Sequence, residues 1–290
     1  MTTPPLAAPP AARREATWRE GVPPPLPGPQ GILGWLRVMR RGVPAVLVLI
    51  LGVLLLLPLR GIERLIFGPR RPWTGPHVQI VCRLVLACLG IGWRREGAPM
   101  RQPGAVVANH SSWLDILVMN AALPVFFVSK AEVAGWPGIN ILTRVTNTHF
   151  VTRDPRLARA QADELAARLR AGHRLLFFPE GTSTDGRRVL PFKPTLFQAF
   201  LDPGLPEGMA VQPMSADYHA PRTQDPRFYG WWADMDLGPH LLTVLAAPRQ
   251  GRVTVRLHPP IPVAGQTRKS LALAAETAVR SGVGADSIEA

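Results

Sequence analysis

The chain has 290 residues, enough to bury a substantial core in one large or two small domains, and it carries a formal net charge of +13. The excess is uneven: residues 1–100 hold 13 Arg, no Lys and 4 Glu, net +9, whereas residues 101–290 hold 20 basic and 16 acidic side chains, net +4. Arg residues flanking apolar runs fit an anionic membrane surface, no nucleic acid is expected as a partner because no binding motif accompanies the charge, and Cys82 and Cys88, inside one apolar stretch, make neither a metal motif nor a disulfide framework.

Residues 1–30 are rich in Pro and Ala without apolar periodicity, and a disordered tail is expected there. No short apolar core follows the start, so this is not a secretory signal. Residues 43–59 contain no charge, with Arg40 and Arg41 before them and Arg60 after. A run of 17 residues lies at the lower edge for crossing a hydrocarbon core of roughly 30 Å. The run shows no polar face, which argues against a buried core helix. A second apolar stretch, 78–93, is interrupted by Arg83 and is amphipathic. Arg60, Arg64, Arg70 and Arg71 separate the two, which points to a hairpin dipping into one leaflet, with a single span as the alternative. Arg on both sides leaves the positive-inside rule undecided.

From Gly104 onward, strands and helices alternate. Strands are expected over 104–109, 124–129, 147–152, 173–178, 209–216 and 252–258, and helices over 112–121, 131–144 (broken near Pro137), 155–171 and 268–281. The clearest helix is 157–170, where Leu157, Ala160, Leu165 and Leu169 share a face opposite Arg159, Asp163, Arg168 and Arg170. The alternation predicts an α/β fold: a mixed, largely parallel sheet flanked by helices, preceded by an N-terminal membrane-anchoring helical segment. The tract 217–240, rich in Trp, Tyr, Pro and Asp, reads as a long loop. The expected division is a tail over 1–30, the anchoring segment over 31–100, a catalytic domain over 101–265, and a C-terminal helix and tail over 266–290.

Two stretches carry chemistry. In Asn109-His110-Ser111-Ser112-Trp113-Leu114-Asp115, an apolar strand ends at His110, and Ser111 and Ser112 are helix N-cap candidates. Five residues on a regular helix turn through about 500°, so His110 and Asp115 meet only if His110 precedes the helix and Asp115 sits in its first turn. A carboxylate then holds one imidazole nitrogen and leaves the other to take a proton. The plainer alternative is a structural His beside a capping Asp. In the second stretch, the strand Arg174-Leu175-Leu176-Phe177-Phe178 stops at Pro179, and Glu180-Gly181-Thr182-Ser183-Thr184-Asp185-Gly186 follows as a polar loop.

Together these motifs resemble the 1-acylglycerol-3-phosphate acyltransferases and their glycerolipid acyltransferase relatives, with N-H-x-x-x-x-D first and F-P-E-G-T about seventy positions later. His149-Phe150-Val151-Thr152-Arg153 resembles the family's phosphate-binding segment, Pro191-Phe192-Lys193-Pro194 its downstream basic segment, and Ala210-Val211-Gln212-Pro213-Met214 its last apolar block. The resemblance covers about residues 80–260. It implies a membrane-associated bacterial enzyme that moves an acyl chain from a thioester of acyl carrier protein or coenzyme A to a lysolipid hydroxyl, with no cofactor and no metal. It also implies the inner membrane, with the active site at the cytoplasmic face. Lysophosphatidic acid is the default acceptor. Relatives in some bacteria acylate the 3-hydroxyl of lyso-ornithine lipid instead, and the tract from Phe228 to His240 resembles one found in both kinds.

An alcohol is a poor nucleophile at neutral pH and needs a base. His110 is the expected base and Asp115 its orienting partner, while backbone N–H groups near Gly181 are candidates for the oxyanion. Arg153 and Lys193 are expected to bind substrate as cations, and Glu180, Gly181 and Thr182 are expected in the same subsite. Each of these polar residues has an ordinary alternative: a solvated cation for Arg153 and Lys193, a helix cap for Glu180. A serine hydrolase using Ser111 or Ser112 is weighed and set aside, because G-x-S-x-G is absent and adjacent side chains seldom face each other. A non-catalytic membrane scaffold remains the third class.

Overall fold

Gly104-Ala105-Val106-Val107-Ala108 offers no polar side chain to either side, so it belongs where both faces of a sheet are covered. A computed structural model, describing residues 18–68, 71–130, 149–151, 158–202 and 204–284, places it there, with all five residues buried. In chain order the elements are α1 (Gly31–Phe67), α2 (Thr74–Leu89), β1 (Gly92–Glu96), β2 (Gly104–Ala108), α3 (Asp115–Ala122), β3 (Phe126–Lys130), β4 (His149–Val151), α4 (Ala158–Arg170), β5 (Leu175–Phe177), a 3₁₀ helix (Pro194–Leu201), β6 (Ala210–His219), α5 (Leu237–Ala246), β7 (Arg252–Leu257), β8 (Ile261–Pro262) and α6 (Arg268–Ser281). The sheet order is β1-β7-β6-β2-β5-β3-β4, with β8 on β6. The pairs from β6 to β4 are all parallel, β1 is parallel to β7, and β7 and β8 run antiparallel to β6. The fold is therefore α/β with a mixed, mostly parallel sheet.

Alternate residues of β2 serve two cores. Val106 and Ala108 join Leu86, Leu114, Val118, Met214 and Val255 under α2, α3 and α5. Ala105 and Val107 join Leu175, Phe177, Phe197, Leu271 and Ala275 under the 3₁₀ helix and α6. The expected strands are present to within a few residues, whereas the helix expected over 131–144 and the strand-end residue Arg153 lie outside the described residues.

Three readings change. The stretch 78–93 ends its helix at Leu89, where Gly90 takes a left-handed conformation (φ 76°), and Gly92–Glu96 becomes an edge strand. Charge protects that edge: Arg94 pairs with Glu96 at 3.1 Å, and Arg256 reaches Glu96 at 2.7 Å. The expected loop over 217–240 holds the end of β6 and the start of α5. Residues 18–30, expected to be disordered, run without regular structure but hold defined contacts. Arg227 donates to Val22 O at 3.0 Å, and Gly28 N donates to Thr243 Oγ1 at 3.2 Å.

The apolar run 43–59 is the middle of the much longer α1, which is bound to the rest of the protein along its length. Arg41 is buried, and its Nη1 donates to Leu245 O (2.7 Å) and Ala247 O (2.5 Å), capping the C-terminus of α5. Gly52 lets α1 close on α2, since a Cβ there would lie 2.8 Å from Val81 Cγ2. Glu63 supplies the missing N-cap of α2, accepting from the amides of Trp73 and Thr74 and from the Thr74 hydroxyl. Among the described residues, α1 is the one helix long and apolar enough to cross a membrane.

Arg41→Ala is expected to cost about 2–3 kcal/mol of stability, because charge-assisted bonds to buried carbonyls are lost. Exposed Arg40→Ala should stay within about 0.5 kcal/mol. Thermal unfolding of both variants in the same detergent checks this.

Candidate active site

Asn109 ends β2 by substituting its side chain for a strand residue. Its Nδ2 donates to Ala216 O (3.0 Å), and its Oδ1 accepts from Ala216 N (2.8 Å). The main chain is thus freed to turn out of the sheet at His110. It does so at the C-terminal ends of the parallel pair β2 and β5, where sites of open α/β sheets form.

The turn closes on Asp115, the first residue of α3. Leu114 stands at the N-cap position of this helix without a side-chain bond of its own, and of the two serines only Ser112 reaches the helix entry, its Oγ accepting from Leu114 N at 3.3 Å. Asp115 Oδ2 accepts from the amides of Ser111 (2.8 Å) and Ser112 (3.0 Å) and from His110 Nδ1 (2.7 Å). Asp115 is fully buried, so as a carboxylate it needs donors all round. Its other oxygen accepts from the Tyr218 hydroxyl at 2.6 Å. The His110 ring is 25% exposed and stacks on Phe178, with centroids 4.1 Å apart and planes 13° apart. Among the described residues none bonds its Nε2. The geometry therefore gives Nδ1–H to Asp115 and leaves a lone pair at Nε2, the arrangement of a general base.

The loop after β5 grips His110 by its backbone. Glu180 Oε1 accepts from His110 N at 2.7 Å, and Thr184 N donates to His110 O at 2.9 Å. Glu180 Oε2 accepts from Leu190 N at 2.7 Å. Glu180 was expected to face an acceptor hydroxyl or cap a helix. It is buried, and each of its oxygens is held by a backbone amide of a loop segment. Burial pushes its carboxyl up to about 8, against the two backbone donors.

Gly181 closes a turn, its amide donating to Phe178 O at 3.1 Å, so that N–H is not available to an oxyanion. Its φ is +75°, and a Cβ there would lie 2.4 Å from Lys193 Nζ, so the structure brings exposed Lys193 against this loop. The Thr182 hydroxyl accepts from Trp18 N at 3.4 Å. The amides of Thr182 and Ser183 have no partner among the described residues. Arg153 lies outside the described residues.

Sequence reasoning did not identify Tyr218, Thr184 or the 228–240 tract as parts of this site. Trp231 N donates to Ser111 O at 2.8 Å, which joins that tract to the His110 turn. Trp113 Nε1 donates to His240 Nδ1 at 2.9 Å, so His240 carries its proton on Nε2 toward Phe228 O. Burial lowers His240 to about 4, which keeps it neutral in this bridge.

Residues 94–216 match the family model described as Acyltransferase. The lyso-ornithine lipid O-acyltransferase of Rhodobacter capsulatus is 51% identical over 268 residues, covering 92% of this chain and 97% of that protein. The chain belongs to the lysolipid acyltransferase family. The Neisseria meningitidis 1-acyl-sn-glycerol-3-phosphate acyltransferase is 36% identical over 153 residues, which is 50% of this chain and 58% of that protein. The crystal structure of the Thermotoga maritima 1-acyl-sn-glycerophosphate acyltransferase PlsC shares the fold, with a TM-score of 0.59 at 20% identity, covering 88% of this chain and 98% of that one. As a family member the chain is an O-acyltransferase enzyme, a lysolipid being the kind of acceptor its family uses and an acyl donor the other substrate.

Because Glu180 holds its proton more tightly when folded than when unfolded, the folded protein binds the extra proton between about pH 4.5 and 8. This group's contribution to stability therefore falls as pH rises through that window. Glu180→Gln removes the titration while leaving an amide N–H facing a backbone donor. Unfolding at pH 5.5 and 8.5 should show the wild type's advantage over Glu180→Gln shrinking toward high pH.

Proposed function

We propose that the enzyme acylates the free hydroxyl of lyso-ornithine lipid, using an acyl thioester of acyl carrier protein or coenzyme A. The choice of acceptor rests on the 51% identity with the Rhodobacter capsulatus protein over nearly its whole length. Lysophosphatidic acid is the second reading. It is favoured by the Neisseria relative, which matches half of the chain and carries that substrate in its name, and by the cation Lys193 beside the Gly181 turn.

In this reading His110 Nε2 takes the proton of the acceptor hydroxyl as its oxygen attacks the thioester carbonyl. Asp115 holds the ring and stabilises the imidazolium. The carbonyl oxygen becomes an oxyanion, for which the open amides of Thr182 and Ser183 are the candidate donors. Collapse of the adduct breaks the carbon–sulfur bond, and the leaving thiolate takes the proton back from the imidazolium. Glu180 acts by fixing the His110 backbone rather than by touching the lipid, while Lys193 would meet the carboxylate of the ornithine headgroup or, in the second reading and together with Arg153, the phosphate.

The residues divide as a membrane-anchoring segment over 31–100 and a catalytic domain over 101–265, closed by a C-terminal helix. The inner membrane of a bacterium, with the site at its cytoplasmic face, fits a donor made in the cytoplasm. The contacts of Arg41, Gly52 and Glu63 hold α1 against the domain, which supports a helix lying in one leaflet rather than leaving to span two. Its outward stripe includes Leu47, Ile50, Leu54 and Leu57, each more than half exposed.

Assay of the purified enzyme on both acceptors with both donors tests the reading. Lyso-ornithine lipid should give the higher kcat/KM, and a clear preference for lysophosphatidic acid would select the second reading. His110→Ala should lower kcat/KM by at least about a hundredfold, whereas Ser111→Ala and Ser112→Ala should each keep more than roughly a tenth of the rate, which a serine nucleophile would not allow. Ile50→Lys combined with Leu54→Lys places two charges in the leaflet at about 2.5–3.5 kcal/mol each. Most of that variant should leave the membrane pellet on fractionation.

A further inference from the structure

We propose that Tyr218 is a positioning residue of acyl transfer: its hydroxyl anchors Asp115 through Oδ1 and tunes how strongly that carboxylate holds the proton on His110. The proposal rests on His110 being the base, as read above.

Three donors converge on Asp115 Oδ2, namely His110 Nδ1, Ser111 N and Ser112 N. Oδ1 has one donor among the described residues, the Tyr218 hydroxyl at 2.6 Å. A carboxylate can only accept, so the phenol donates, and this is a short charge-assisted bond. Its origin is in the sheet. β6 pairs with β2 only as far as Met214, then runs on to His219 against β7. Asn109 clamps Ala216, and two residues further along the same face of the strand Tyr218 comes to lie beneath the turn. Tyr218 is nearly fully buried, so no solvent donor replaces it readily.

A donor on Oδ1 draws negative charge away from Oδ2. The imidazolium on the other side is then held less tightly, and the ring returns its proton more readily. Removing the hydroxyl leaves a more basic carboxylate, so the His110–Asp115 pair binds its proton more strongly wherever that proton resides. Several ionisable groups surround this pair. Glu180 touches the His110 amide from the loop after β5 and titrates near 8; Tyr229, with its ring 5.8 Å from that of Tyr218, is pushed up to about 12 by burial; and Arg280 of α6 acts on Glu180. These remain in wild type and variant alike, so the difference between the two reports Tyr218. Burial and the Asp115 charge raise the Tyr218 phenol well above its usual range, so it stays a donor throughout.

The experiment compares full-length wild type, Tyr218→Phe, and protein carrying 3,5-difluorotyrosine site-specifically at 218, with kcat and KM measured from pH 5.5 to 9 on one acceptor and one donor. Tyr218→Phe should lower kcat at least about tenfold with acceptor KM within roughly threefold, and move the acid-limb midpoint upward by about half a unit or more. The fluorinated phenol, a stronger donor of the same shape, should move that midpoint downward. Unmoved midpoints in both proteins would overturn the proposal and leave Tyr218 a packing residue. If Tyr218→Phe does not fold, the fluorinated protein decides alone. Full activity of His110→Ala would instead remove the base on which the proposal rests, an outcome separate from either Tyr218 result.

Discussion

Both backbone groups of His110 are bound by a loop seventy residues downstream, and the rest of the site depends on that grip. Glu180 takes the amide, Thr184 meets the carbonyl, and Phe178 covers one face of the ring. Asp115 then has one orientation of imidazole to meet. A histidine at the mouth of a strand-to-helix turn would otherwise sample several rotamers, and a base displaced by an ångström loses much of its effect. The buried Glu180 carboxylate, which is costly to ionise, is retained where it can lock two loops by their main chains. The parallel pairing of β2 with β5 supplies the coarse alignment, and Glu180 supplies the fine one.

A second constraint joins the apolar helix α1 to the His110 turn. Arg41 caps α5, the helix that follows the 228–236 tract, and that tract touches Ser111 through the Trp231 amide. Glu63 caps α2, which packs in the same core as Leu114 and Val118 of the His110 turn and α3. The apolar stripe of α1 is therefore held at a defined height relative to His110. In the proposed reading, where the acceptor resides in a leaflet and His110 is the base, that fixed height would set which part of the lipid reaches His110.

Much of this was readable from residue order, for reasons that can be stated. The run 104–108 has no polar side chain and could only be a doubly buried strand. The five-residue spacing of His110 and Asp115 excludes a shared helix face, so their contact required the turn that is found. Other parts were not readable. Gly92–Glu96 is a charged edge strand, and without its partner β7 its first residues read as the end of the apolar stretch 78–93. α5 begins Leu237-Gly238-Pro239 inside the tract 217–240 that reads as a loop from its Trp, Tyr, Pro and Asp content, although a proline in the first turn lacks only a donor that would be unpaired there anyway. Tyr218 falls in the same tract, and only the overhang of β6 past β2 carries the strand to it and makes its hydroxyl a ligand of Asp115. Glu180 in a polar loop suggests an acid that faces substrate or caps a helix. Its burial is set by partners at 110 and 190, and local pattern does not encode them.

The central claim is that Asp115 holds the His110 proton on Nδ1 and leaves Nε2 as the free base. The most direct measurement is ¹⁵N NMR of the imidazole nitrogens in histidine-labelled protein, with the His110 signals assigned among the seven histidines by their loss in His110→Gln. In the neutral ring the account predicts a protonated Nδ1 and a lone-pair Nε2, with that preference weakened in Asp115→Asn. A neutral His110 protonated on Nε2, unchanged by Asp115→Asn, would contradict it.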